Sequence, residues 1–220
     1  MGIRFYLYGN EFLENDSVGY YSVDYTGYRT PGNPDYLNRL KNTFNNEHQI
    51  DLNIAKDTVV KMLVKEIPQI LDENGIEQCT VVCIPRAKKF ETYTEKQLYF
   101  SEAVREAVAK LGNRVVDGVD VIRRQINTKT THLPSTTGRK YVEGGEICDM
   151  YENDGAMPYP GITRDTCHIA FEKIRDKDIL IIDDIYTRNV NIDEDAVQTM
   201  YNSGARRVFF YAVAMTRRSK

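Results

Sequence analysis

The clearest pattern of apolar and polar positions lies near the carboxyl end of the chain. Residues 179–182 are four consecutive apolar residues, and Asp183 and Asp184 follow them directly. A continuous, Ile-rich apolar run is typical of a strand buried on both faces, as in a parallel sheet. Residues 192–203 then have helical spacing, and residues 205–214 form another apolar run. This order predicts a strand, loop, helix, strand unit, which is a βαβ unit.

The rest of the chain shows similar elements. Residues 57–73 predict a helix that Pro68 kinks or divides, and residues 79–85 predict a first core strand. Residues 94–111 predict a helix that opens with a capping box. The weaker predictions are a strand at 3–9, short strands and loops over 20–36, a short helix within 35–45, a strand at 115–122, an insertion over 149–162 and a helix at 163–175. Together they predict an α/β fold, with a mainly parallel sheet and helices on both faces.

The N-terminal part differs from the remainder in composition. Residues 20–28 combine several tyrosines with turn-forming residues. One interpretation is a hood whose aromatic rings cover a pocket and stack on a base. The other is a small sheet that uses Tyr because its faces are half exposed. We expect a Tyr-rich extension or hood over residues 1–75 and a core over residues 76–220.

The acid pair is the best candidate for chemistry. Ligands of parallel sheets bind in the crevice at the carboxyl ends of the strands, where Asp183 and Asp184 fall. Two adjacent acids are costly to hold there unless sugar hydroxyls, a metal or a basic group pairs with them. The following loop ends at Asn191, a plausible N-cap. Its free backbone N–H groups at a helix N-terminus would suit a phosphate.

This stretch resembles a known motif. The apolar run, two acids, an apolar residue, any residue and Thr187 resemble the phosphoribosyl-diphosphate (PRPP) motif of type I phosphoribosyltransferases. The resemblance implies that Asp183 and Asp184 hold the ribose hydroxyls. It also implies that the 5′-phosphate is bound by the loop that comprises Thr187, Arg188, Asn189, Val190 and Asn191.

The loop departs from the family pattern, which usually continues Thr-Thr-Gly-x-Thr. Asn189 can adopt a left-handed conformation at modest cost, and Arg188 adds a cation that a phosphate could use. Three acids follow in the first helical turn: Asp193, Glu194 and Asp195. They suit the helix dipole, but they would repel a phosphate unless they point away.

A basic turn follows the predicted strand at 79–85. Its residues are Arg86, Ala87, Lys88 and Lys89. The family places a pyrophosphate loop after an early core strand, so the resemblance implies that this turn binds the leaving pyrophosphate. The order of elements is most similar to the ComF-like, amidophosphoribosyltransferase-like branch, although the zinc-ribbon cysteines of that branch are absent. A solvated surface turn is an equally good interpretation.

A Thr-rich basic stretch covers residues 128–140. Long irregular loops in compact domains are commonly functional or disordered. The family has a flexible loop that closes over the reacting centre at this point in its order. The resemblance implies that Arg139 and Lys140 are catalytic lid cations, with Arg123 and Arg124 as anchors. A surface loop without a role is the alternative.

Composition excludes some classes of function. The chain has 220 residues, of which 41% are apolar, and this favours one domain or one domain with an elaboration. A net charge of −3 provides no basic field for nucleic acid or a membrane surface. We find no apolar run long enough for a membrane span and no signal-peptide pattern, and we therefore expect a cytoplasmic protein. The four cysteines and three histidines show no zinc-ligand spacing.

The resemblance implies a phosphoribosyltransferase with PRPP as substrate and a base or ammonia as acceptor. Mg²⁺ would be the cofactor, bound through PRPP and not directly by the protein, and a homodimer is expected. One alternative is a non-catalytic regulatory or competence-type protein that binds PRPP or a nucleotide with the same fold. Another is a different doubly wound enzyme that uses the acid pair for a metal, but the Asp-Asp-Ile-Tyr-Thr order lacks the Asp-x-Asp-x-Thr of phosphohydrolases.

Overall fold

The structure is a computed structural model that describes residues 2–129, 141–143, 146–148, 162–188 and 190–217. The strands are β1 Ile3–Leu7, β2 Ser17–Tyr25, β3 Cys79–Cys83, β4 Val115–Asp117, β5 Ile122–Arg124, β6 Tyr141–Glu143, β7 Glu146–Cys148, β8 Cys167–Ile169, β9 Asp178–Tyr186 and β10 Arg207–Thr216. The α-helices are α1 Tyr36–Lys41, α2 Gln49–Glu73, α3 Tyr99–Leu111, α4 Ile162–Thr166 and α5 Ile192–Asn202.

The centre of the fold is a six-stranded sheet with the order β1-β2-β10-β9-β3-β4. Strands β2, β10, β9, β3 and β4 are parallel, and only the edge strand β1 runs antiparallel to its neighbour within this sheet. The predicted α/β class with a mainly parallel sheet is therefore confirmed.

Both faces of the sheet are buried. Successive side chains of β9 point to opposite sides of the sheet, and both sets are covered by helices. Leu180 and Ile182 pack with apolar residues of α2 and α3 on one face. Ile179 and Ile181 pack with apolar residues of α5 on the other face. This explains why the strand has four consecutive apolar residues instead of an alternating pattern.

The strand order reverses between β3 and β9. From β3 the chain passes through α3 to β4 on one side, and from β9 it passes through α5 to β10 on the other. Helices α3 and α5 pack on opposite faces of the sheet. The point between β3 and β9 is thus a topological switch point, and ligands of open α/β sheets bind in the crevice that forms there.

The N-terminal residues are built into the same sheet. Strand β2 pairs with β10, and Tyr20 of β2 is fully buried. Helix α2 buries one face against the sheet, including Leu63 and Ile67. Strands from both sides of residue 75 therefore share one sheet, while the division into two domains stays a prediction.

Several predicted elements have different bounds in the structure. Helix α2 begins at Gln49 and contains Pro68 without being divided there. The predicted strand at 115–122 ends at Asp117, because Gly118 starts a turn and its N–H donates to Val81 O at 3.0 Å. The capping box is present, but it opens a 3₁₀ turn at Glu95–Gln97 that precedes α3.

The predicted helix at 163–175 is wrong. Helix α4 ends at Thr166, and β8 follows and pairs antiparallel with β5. Ile169 is buried in the core on the α5 face. Pairing with another strand has overridden the local helical pattern, which describes only neighbours along the chain. Within the described ranges, no helix has the length and apolar character needed to cross a membrane.

Candidate ligand site at the switch point

The acid pair lies where β9 meets the switch-point crevice. Asp183 is the register partner of Ala212 in β10. On the other side of β9, the Ile84 N–H donates to Ile182 O at 3.0 Å, which brings the start of the basic turn next to Asp183. The start of the predicted pyrophosphate turn therefore lies next to the predicted ribose site, on the β3 side of β9.

A lysine from the N-terminal part neutralises one of the two acids. Lys41 is the last residue of α1, and its Nζ lies 3.2 Å from Asp184 Oδ2. Burial alone would lower the pKa of Lys41, but the charges of Asp184 and Asp183 outweigh it and the pKa is raised. Sequence reasoning did not single out Lys41, because no local pattern connects α1 with the end of β9.

The other acid of the pair meets a residue of α5. The carboxyl groups of Asp183 and Asp193 lie close enough for each to shift the pKa of the other. Asp193 is only 4% exposed. Burial, and then the charge of Asp184, raises the pKa of Asp183 to about 7. Burial and the charge of Asp183 raise the pKa of Asp193 well above its ordinary value.

The three acids of the first turn of α5 are all buried, and each has a different neighbour. Asp193 contacts Asp183. Glu194 Oε1 accepts a hydrogen bond of 2.7 Å from the Tyr186 hydroxyl, and burial and this bond raise the pKa of Tyr186. Asp195 Oδ2 accepts a hydrogen bond of 3.0 Å from the Thr163 N–H. These contacts hold the three carboxyl groups inside the fold.

The loop between β9 and α5 is held at both ends. The hydroxyls of Thr187 and Thr216 are 2.8 Å apart, which ties the loop to the end of β10. Asn191 is the N-cap residue, as predicted, but it is left-handed, with φ 61°, and its side chain makes no capping bond. Its Oδ1 instead accepts a hydrogen bond of 3.1 Å from Asn10 Nδ2. The conformation predicted for Asn189 lies outside the described residues.

Arg188 lies beside a cleft at the ends of β2 and β10. The cleft has a volume of about 190 Å³ and is lined by Tyr21, Asp24, Arg188, Met215, Thr216 and Arg217. Within it, Arg217 Nη2 lies 2.6 Å from Asp24 Oδ2. The cleft borders the predicted phosphate loop on the side that faces away from β3.

The basic turn is fixed by the side chain of Arg86 and by backbone hydrogen bonds. Arg86 Nη1 donates to the carbonyl oxygens of Lys41 and Gln97, and its guanidinium lies over the ring of Tyr93. The Ala87 carbonyl accepts from the Thr128 N–H at 2.8 Å. Arg86 therefore anchors the end of α1 to the turn instead of projecting toward a ligand.

The other two residues of the turn donate through their backbones. The Lys88 N–H bonds the hydroxyl of Tyr93 at 2.8 Å, and the Lys89 N–H bonds Asn127 Oδ1 at 2.9 Å. The pyrophosphate role of the turn stays a prediction, and it would rest on the side chains of the two lysines.

The predicted lid falls mostly outside the described residues, and both Arg139 and Lys140 are among those outside. Of the two predicted anchors, Arg123 lies over the ring of Phe90. Arg124 is buried, and its Nε donates to Arg86 O at 3.0 Å. Burial lowers the pKa of Arg124. Arg124 thus supports the basic turn from within the fold.

The described residues contain no group of three or more His, Cys, Asp or Glu side chains arranged to hold a metal ion. No protein-family model matches the chain, and no curated protein matches it either.

Proposed function

We propose that the chain binds PRPP and transfers its phosphoribosyl group to a nitrogenous acceptor, either a base or ammonia, with release of pyrophosphate. The observation that carries the proposal is the position of Asp183 and Asp184 near the carboxyl end of β9, beside the point where the strand order reverses. Ligands of open α/β sheets bind at such points, and adjacent carboxylates are suitable acceptors for the hydroxyls of a ribose.

Two segments beside the acid pair, the loop after β9 and the basic turn after β3, would hold the two phosphate-bearing ends of PRPP. The loop from Thr187 to Asn191 enters α5, whose first backbone N–H groups receive no capping bond from Asn191. Such groups suit a phosphate, and Arg188 lies in the same loop. The basic turn that follows β3 begins beside Asp183, and we propose that pyrophosphate leaves on this side.

The proposed reaction is a displacement at C1 of PRPP. The C1–O bond to pyrophosphate breaks, a C1–N bond forms, and the acceptor nitrogen loses its proton to solvent. The protein holds the ribose and the two phosphate groups in place, because positioning and charge stabilisation account for most of the rate in such a reaction. Mg²⁺ would reach the site bound to the pyrophosphate part of PRPP, since magnesium binds readily through phosphates and water.

A second candidate is a non-catalytic protein that binds PRPP or a nucleotide. One observation favours it: Arg86 uses its guanidinium for backbone carbonyl oxygens, so fewer cations of the basic turn are available to stabilise pyrophosphate. Such a protein would bind PRPP at the acid pair but would release no pyrophosphate. An assay of pyrophosphate release with ammonia and with purine and pyrimidine bases separates the two candidates.

The double substitution Asp183→Asn and Asp184→Asn tests the ribose assignment. Each charged hydrogen bond that is lost should cost about 1.5–3 kcal/mol of binding free energy, so we expect PRPP binding to become undetectable in calorimetry. The amides keep the shape of the side chains, and circular dichroism should show an unchanged fold.

Asp176→Asn is the matched control, because Asp176 is exposed and lies just before β9. It should bind PRPP as the wild type does. If the double variant also binds PRPP with wild-type affinity, the acid pair is not the ribose site and the proposed function is wrong.

A further inference from the structure

The carboxyl groups of Asp183 and Asp193 are neighbours, and each affects the pKa of the other. Two adjacent carboxylates repel each other when both are charged, and an ionised carboxylate can only accept hydrogen bonds. A proton on one of them removes the repulsion and allows its O–H to donate to the other. The two residues come from different elements, β9 and α5, so this single proton connects the predicted ribose site to the helix that follows the predicted phosphate loop.

The surroundings indicate that Asp193 is the residue that carries the proton. It is 4% exposed, whereas Asp183 is only half-buried. No donor among the described residues reaches Asp193 Oδ1. A buried carboxylate oxygen without a donor is very costly when it is charged, whereas a neutral acid that donates its O–H to Asp183 avoids most of this cost.

The charges around the pair have the same effect. The titratable groups that face it from the neighbouring elements are Asp184 of β9, Lys41 of α1, Cys83 of β3 and Glu194 of α5. Lys41 is the cation among them, and it is paired with Asp184. Burial and the nearby carboxylates raise the pKa of Asp193 well above its ordinary value, which agrees with a neutral side chain near pH 7.

We propose that Asp193 is a neutral carboxylic acid in the working protein and is a positioning residue, whose O–H donates to Asp183 and holds that carboxylate toward the ribose hydroxyls. This inference rests on the proposed function. An ionised Asp183 can accept from Asp193 on one side and from a hydroxyl of the ligand on the other. A buried carboxylic acid kept neutral so that it can donate a hydrogen bond is a known device of enzymes.

The same arrangement predicts a pH dependence for ribose binding. Asp183 must be ionised to accept the ligand hydroxyls, and its pKa is raised to about 7 by burial and by the charge of Asp184. Below that pH the ligand must expel a proton from Asp183. Affinity for ribose 5-phosphate should therefore rise as pH increases, by up to about tenfold per pH unit below the pKa, and should level off above it.

Two substitutions of Asp193 separate a neutral donor from a charged group. In Asp193→Asn the amide N–H replaces the O–H, and we expect ribose 5-phosphate to bind within about twofold of wild type, with the same pH profile. In Asp193→Ala the donor is lost, and we expect binding to weaken by about tenfold or more. Titration of ribose 5-phosphate at several pH values between about 6 and 8 measures both effects. The ligand's own ionisation cancels when each variant is compared with the wild type at the same pH.

Asp195→Ala is the matched control. Asp195 is buried in the same turn of α5, but its Oδ2 accepts a hydrogen bond from the Thr163 N–H. We expect this variant to bind within about twofold of wild type. Carbon-13 NMR of the aspartate carboxyl groups, without ligand, gives a second measurement that does not depend on how Asp193→Ala folds. The resonance of Asp193 is identified by its absence from the spectrum of Asp193→Asn. Its chemical shift should show a protonated carboxyl group up to about pH 7.

The outcomes that would overturn the inference are distinct. If the Asp193 resonance titrates near the ordinary value for aspartate, or if Asp193→Asn moves the pH profile by more than about one unit, Asp193 is charged. If the wild type and Asp193→Ala bind alike, Asp193 has no positioning role although the proposed function stands. If the wild type fails to bind ribose 5-phosphate at millimolar concentrations, the positioning role and the proposed function are both wrong.

Discussion

At the scale of single residues, the charge of the site differs from the charge that the sequence suggests. Five acids lie near the carboxyl end of β9 and in the first turn of α5: Asp183, Asp184, Asp193, Glu194 and Asp195. The sequence alone suggests a strongly repelling surface for a phosphate. The structure buries the three helix residues, pairs Asp184 with Lys41, and places Asp183 beside Asp193. Their ionisation therefore depends on burial and neighbours.

Removing the lysine at the site tests this balance of charge. In Lys41→Met, Asp184 and the neighbouring Asp183 lose a half-buried cation. We expect the free energy of unfolding to fall by about 1–3 kcal/mol near pH 8, between the values for exposed and buried ion pairs. Near pH 5 the loss should be smaller, because burial raises the pKa of Asp183 to about 7 and its carboxyl is neutral there. Urea denaturation at the two pH values measures the difference.

Lys56→Met is a suitable control, because Lys56 pairs at 2.9 Å with Glu106, which is more exposed than Asp184. This variant should lose less than about 1 kcal/mol at both pH values. An equal loss for Lys41→Met at both pH values would contradict the idea that Lys41 compensates the charge of Asp183 as well as that of Asp184.

At the scale of elements, close contacts position the strands around the crevice. Gly118 follows β4 and packs against β3, and a Cβ atom there would lie 2.4 Å from Thr80 Cγ2 and 2.9 Å from Val81 O. The Gly118 N–H also donates to Val81 O. The turn after β4 can therefore approach β3 this closely only because residue 118 has no side chain.

Gly118→Ala should destabilise the protein by about 1–3 kcal/mol, since a methyl group forced against backbone and a buried Thr acts as overpacking. Thermal and urea unfolding measure the change. Gly9→Ala is the comparison, because the nearest atoms to its Cβ are 3.3 Å away and Gly9 is exposed. If both variants are equally stable, the close approach at Gly118 is not a constraint on the fold.

At the scale of the whole molecule, the N-terminal residues complete one layer of the fold. Strand β2 covers one edge of β10, and α2 covers much of the face opposite α5. Lys41 also comes from this part and reaches the acid pair. Both the sheet and the candidate site therefore depend on residues before the boundary at 75 that the sequence suggests.

A fragment of residues 76–220 tests whether that boundary separates two folding units. Without α2 and β2, buried residues such as Leu180 and Tyr211 would be exposed to water, and burial of apolar area is the main favourable term in folding. We expect the fragment to lack a cooperative thermal transition in calorimetry, whereas the full chain shows one. A cooperative, soluble fragment would establish an independent core domain.

The sequence by itself determined the elements whose cause is local. The apolar run of β9, the helical spacing of α5 and the capping box before α3 depend on neighbouring residues, and their backbone periods are visible in the chain. The parallel sheet also follows, because an uninterrupted apolar strand must be covered on both faces. The helix predicted over 163–175 failed because the pairing of β8 with β5 is not a local property.

Only the tertiary structure decided what surrounds Asp183 and Asp184. Lys41 reaches them from α1, and Asp193 reaches them because α5 packs back against β9. No sequence period links these residues, since their contacts depend on how the helices pack on the sheet. Burial also sets whether a carboxyl group is charged, and burial exists only once the chain has folded.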